Sequence, residues 1–100
     1  MKIDINNTYY EIKFTSKFAK DLKLLNKQNK SLSKLKDIII KLANNEVLEK
    51  KYRDHQLSNS KIYKNCRECH IEPDWLLVYK KEKDKLILLL VSTGTHSELF

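Results

Sequence analysis

Residues 62–91 read IYKNCRECHIEPDWLLVYKKEKDKLILLLV, and the period of this stretch decides the fold. Three runs, 62–71, 75–80 and 86–91, are rich in branched, aromatic and large apolar side chains, the composition of strands. Between the first two, Glu72-Pro73-Asp74 predicts a turn, because proline lacks the N–H a ladder needs and presets the φ of a turn. Residues 81–85 carry charge on every side chain and predict a hairpin loop. Strands joined by connections this short run antiparallel, so the stretch predicts a three-stranded meander. The run 86–91 has no polar residue, which predicts a strand buried on both faces.

Upstream of residue 46 the apolar period is 3.6. Phe18, Leu22 and Leu25 recur at helical spacing with lysines on the other face, and Thr15 or Ser16 is placed to cap that helix. Leu35, Ile38, Ile39, Leu42 and Ala43 mark a second amphipathic helix, capped by Ser31 or Ser33 and stopped at Asn44-Asn45. The short join predicts an antiparallel helical hairpin. Ahead of it, residues 8–14 alternate as an opening strand. Past the meander, the one glycine, Gly94, lies in Ser92-Thr93-Gly94-Thr95-His96, where a turn of positive φ suits it. The order β-α-α-β-β-β is an α+β layout, a helical hairpin on a small, mostly antiparallel sheet, in a single domain spanning residues 1–100.

At 100 residues and 41% hydrophobic content the chain is long enough for one core. Its longest apolar run is far short of the ~20 residues that span a bilayer, and no apolar segment follows Lys2 as a secretory signal would. These features predict a cytoplasmic protein with no membrane partner. The net charge is +7 and uneven: residues 1–65 carry 15 basic and 7 acidic side chains, residues 66–100 carry 5 and 6. A basic half on a neutral half is the footprint expected of a polyanion binder, although a lysine-rich surface also serves solubility.

Two sets of residues carry chemistry. Cys66-Arg67-Glu68-Cys69-His70 spells C-x-x-C-H, the haem-attachment motif. On a strand, however, Cys66 and His70 share one face and Cys69 takes the other, Met1 is the sole methionine, and no second C-x-x-C exists for zinc. The expectation is reduced thiols, no metal and no cofactor. The second set is His55, His70 and His96 with Asp74, which a meander would gather at one end of the sheet. Histidine serves as acid or base near neutral pH, so the set suits metal-free RNA cleavage, in which a base deprotonates a ribose 2′-OH and an acid protonates the departing 5′-oxygen. One glycine excludes phosphate-cradling glycine loops, and G-x-S-x-G is absent.

Asp54-His55-x-Leu57, then residues 67–79 (RECHIEPDWLLVY), then residues 93–100 (TGTHSELF) resemble the YafQ-type toxins of the RelE/ParE superfamily, and the helical hairpin with Phe18-x-x-Asp21-Leu22-Lys23 fits as well. The resemblance implies a RelE-like fold and the toxin of a bacterial type II toxin–antitoxin system, a ribosome-dependent endoribonuclease that cuts mRNA. It implies a cognate antitoxin, a toxin that is monomeric when free, and contact with ribosomal RNA. Carried over by position, the catalytic group is His55, His70, Asp74 and His96, with His70 and His96 moving protons. Phe100, Trp75 and Arg67 position the substrate, and Lys17, Lys20, Lys23, Lys27, Lys34 and Lys41 meet RNA.

The chain departs from that pattern at Ser92, where many relatives carry arginine; a lysine or His55 would have to supply the missing charge. Gln56, Asn59 and Cys66 also depart, with consequences for loop stiffness and packing. The rival reading is a non-catalytic superfamily member, a gyrase inhibitor or a decayed toxin that only binds antitoxin. Three retained histidines and the terminal Leu99-Phe100 favour the nuclease.

Overall fold

Thr15 opens the helical half of the chain. Its Oγ1 accepts the Phe18 N–H at 3.0 Å, which satisfies one of the free donors of α1 (Ser16–Lys27). Phe18 and Leu25 of α1, and Leu35, Ile38, Ile39, Leu42 and Ala43 of α2 (Leu32–Ala43), are buried, as their spacing predicts. The computed structural model describes residues 8–58 and 60–100; Met1 and Asn59 fall outside them. Asn29 takes φ 59° between the helices, a left-handed conformation that asparagine tolerates. Ser31 stands at the start of α2, but its hydroxyl meets Ser33 Oγ at 2.9 Å instead of a helix N–H.

The helices cover one face of a five-stranded sheet in the order β1-β5-β4-β3-β2. The meander is β3 (Arg67–Glu72), β4 (Trp75–Glu82) and β5 (Ile87–Gly94), all antiparallel. β1 (Glu11–Phe14) adds parallel to β5, and β2 (His55–Gln56) adds antiparallel to β3. Leu77, Tyr79, Leu88 and Leu90 meet the helices in the larger core, while Tyr63, Cys66, Leu76, Val78 and Leu99 form a smaller one on the opposite face.

Several expectations are corrected here. The first meander strand begins at Arg67, because residues 60–65 turn, with Asn65 at φ 60°. β5 is not buried on both faces: Ile87, Leu89 and Val91 are half-buried, since the helices cover one side and the small core only part of the other. It also runs on to Gly94, which at φ +157° closes the strand instead of making a turn. A Cβ there would stand 3.0 Å from Glu98 Oε1 and 3.5 Å from Leu99 Cδ2, so glycine lets the one-turn helix α3 (His96–Leu99) pack close. β2 and α3 are additions to the expected order.

β1 ends at Phe14, level with Leu90, leaving the last residues of β5 without a neighbour on that side. The start of α1 takes over. Thr15 Oγ1 donates to the Val91 carbonyl at 2.7 Å, and Asp21 Oδ2 accepts the Thr93 N–H at 3.0 Å and the Ser92 hydroxyl at 2.7 Å. No described helix is long and apolar enough to cross a membrane.

Candidate active site

On β3, alternation puts Glu68 and His70 on one face and Cys69 on the other. The β2–β3 register sets His55 opposite Glu68. The result is a carboxylate between two imidazoles: Glu68 Oε2 lies 3.5 Å from His55 Nε2, and Oε1 lies 3.7 Å from His70 Nε2. Glu68 is 6% exposed. Each ring is turned by a main-chain carbonyl. His55 Nδ1 lies 2.6 Å from the Arg53 oxygen and His70 Nδ1 3.2 Å from the Pro73 oxygen. A carbonyl only accepts, so Nδ1 carries the proton in both and Nε2 faces the carboxylate.

The turn after β3 extends this line. Asp74 Oδ1 accepts the His96 N–H at 3.3 Å, tying the 73–74 turn to α3. Thr95 caps α3 with a reciprocal pair: its Oγ1 accepts the Glu98 N–H at 3.2 Å, and Glu98 Oε1 accepts the Thr95 N–H at 2.7 Å. That backbone bond, together with the Thr95 hydroxyl, holds the Glu98 carboxyl below the usual range. One helical turn on, the Phe100 ring lies 5.0 Å from the His96 ring and 5.4 Å from Tyr63. His96 and Phe100 are both exposed. His55 and His70 thus flank Glu68, and the turn that follows joins this end of the sheet to the backbone N–H of His96 through Asp74. The sequence reading overlooks Glu68, which the β2–β3 register alone brings between the two imidazoles.

Other expected residues sit differently. Trp75 is 1% exposed; its Nε1 donates to Thr93 Oγ1 at 3.0 Å, and that hydroxyl donates to the Leu76 carbonyl at 2.7 Å. It supports the β4–β5 end from inside and cannot touch RNA. Arg67 is half-buried, and its Nε is 3.3 Å from both Asp54 Oδ1 and the Tyr79 hydroxyl. Burial opposes its charge, but those two partners outweigh it and hold the guanidinium above its ordinary value.

Lys17, Lys20, Lys23, Lys27 and Lys34 are exposed and Lys41 is half-buried. Lys17 Nζ donates to Ser92 Oγ at 2.7 Å and pairs with Asp21 at 3.2 Å, so an ammonium stands beside the serine that replaces arginine. Lys34 and Lys30 pair with Glu72, and the Lys34 hydrogen bond draws that carboxyl below its ordinary value. Next to His70 opens a groove of about 800 Å³ lined in part by Lys34, Lys41, Tyr52, Arg53 and Glu72. Cys66 and Cys69 are free, buried, and in different cores, and burial raises both thiols. They do not share one site.

Residues 10–100 match the family model described as the bacterial toxin of type II toxin-antitoxin system, YafQ. The mRNA interferase toxin YafQ of Escherichia coli (strain B / BL21-DE3) is 44% identical over 91 residues, which is 90% of this chain and 95% of that one. A chain in the crystal structure of the E. coli DinJ-YafQ toxin-antitoxin complex matches with TM-score 0.82 and 39% identity, covering 92% of this chain and 98% of that one. A metal-bound toxin from Helicobacter pylori matches with TM-score 0.82 and 45% identity, over 89% of this chain and 97% of that one. Among the described residues here, no three His, Cys, Asp or Glu side chains are grouped to hold a metal.

Proposed function

The chain belongs to the YafQ family of bacterial type II toxin–antitoxin toxins, and from that premise we propose that it is an endoribonuclease cutting mRNA on the translating ribosome. The observation that carries the chemistry is the buried Glu68 carboxylate between His55 and His70, next to the turn whose Asp74 holds the His96 N–H. One histidine Nε2 removes the ribose 2′-OH proton, the oxygen attacks the neighbouring phosphorus, and a second imidazole protonates the 5′-oxygen as it leaves. His96 and His70 make these transfers. Glu68 faces the ring nitrogens that gain positive charge, and Asp74 holds α3, and so His96, against the turn. Phe100 positions the mRNA, and the groove beside His70 takes its continuation.

Lys17 supplies, from α1, the positive charge that Ser92 lacks. The exposed lysines of α1 and α2 meet ribosomal RNA, whose phosphates reward such a surface. A cognate antitoxin silences the enzyme, as the named DinJ-YafQ complex suggests by kinship, and the site of action is the cytoplasm.

The test is cell-free translation of one defined mRNA with cut sites mapped by primer extension. Wild type is expected to cut in register with the reading frame. His96→Ala is expected to lose ~10²-fold or more in rate, the lower range for a positioned acid or base, while keeping its fold. Intact mRNA and continued translation with folded wild type would favour the non-catalytic reading.

A further inference from the structure

Asp54 and His55 are neighbours in sequence and face opposite sides of the sheet. His55 faces Glu68. Asp54 Oδ1 accepts both the Tyr79 hydroxyl and Arg67 Nε, which also touch each other at 3.3 Å. Tyr79 is fully buried, and burial together with Asp54 keeps its phenol protonated. Arg67, held above its ordinary value by these partners, keeps its charge. From the same strands, half-buried Lys81 and buried Cys69 also feel this cluster.

The segment it grips has little else to hold it. β2 has two residues, both exposed, and Arg53 before it is left-handed at φ 49°. That twist aims the Arg53 carbonyl at His55 Nδ1, 2.6 Å away. We propose that the Asp54–Tyr79–Arg67 cluster is a positioning device for His55: by clamping residues 53–55 it keeps the ring proton on Nδ1 and Nε2 turned toward Glu68. This rests on the reading of His55 as part of the catalytic group. Asp54, Tyr79 and Arg67 touch no substrate; they act through His55.

The test uses the full chain with ¹⁵N-labelled histidine, reading the His55 tautomer by long-range ¹H–¹⁵N NMR alongside cutting kinetics. Free imidazole in histidine prefers its proton on Nε2, so an Nδ1–H ring is diagnostic. Wild type and Asp54→Asn, which still accepts both hydrogen bonds, are expected to show the Nδ1–H form. Tyr79→Phe and Asp54→Ala are expected to populate the Nε2–H form and to lose about tenfold or more in kcat, as loss of orientation does, with KM within about twofold. An unchanged His55 tautomer in both folded variants would overturn the proposal, whatever happens to melting temperature. A shifted tautomer with undiminished cutting would sustain the positioning and remove His55 from the chemistry.

Discussion

Ser92 and Lys17 set a positive charge beside a buried hydroxyl near the end of β5. Ser92 is fully buried, and its hydroxyl both accepts from Lys17 and donates to Asp21, so the ammonium is braced at two points. If it serves the phosphate, Lys17→Met lowers the cutting rate by up to ~10², the scale of losing one electrostatic contact, while Lys17→Arg retains most of it. Initial rates on the same mRNA check this, and equal rates for Lys17→Met and wild type would assign the lysine to packing alone. The three histidines and Asp74 were visible as candidates in the sequence because histidine is scarce and Asp74 sits four residues from one of them. Glu68 was not, because a glutamate on a strand ordinarily reads as a solvated face, and only the β2–β3 register reveals two imidazoles around it. Burial and the Asp54 partner set what two further residues do: Trp75 supports the site from inside, and Arg67 holds Asp54 through its Nε.

Among elements, α3 carries a cap that responds to acid. The Glu98 carboxyl is held low by its bonds to Thr95, and a depressed carboxyl contributes stability above its unfolded value of ~4.3, lost as pH falls through the folded value. Below that window the Glu98 half of the reciprocal cap weakens. The Thr95 amide shift followed by NMR should therefore titrate below ~4.3, and Glu98→Gln should abolish the transition; titration at the ordinary carboxyl value would refute it. The long elements were predictable from period alone: α1, α2, β4 and the 73–74 turn follow apolar spacing and proline. β2 and α3, with two and four residues, are too short to show a period. Both are made by partners, β3 for one and Asp74 for the other, and they carry two of the three histidines.

For the molecule as a whole, charge and closure matter most. The basic residues fall mostly in residues 1–65, and α1 displays Lys20, Lys23 and Lys27 to solvent, α2 Lys34. Binding to ribosomes should weaken with salt, and Lys23→Ala should reduce the slope of log K against log salt by about 0.7–0.9, one phosphate contact. An unaltered slope would move the RNA contact off this surface.

Closure has a temporal meaning as well. Glu11 sits opposite Ile87, and Thr15 reaches Val91 across 76 positions, so β1 emerges early in synthesis and finds its mate late. Pairings of such span form slowly and only after the intervening chain is available. A nascent copy therefore presents helices with an unfinished sheet, and His96, beyond the far end of β5, is not yet seated. Until then the histidines of β2, β3 and α3 are separate side chains on an incomplete scaffold.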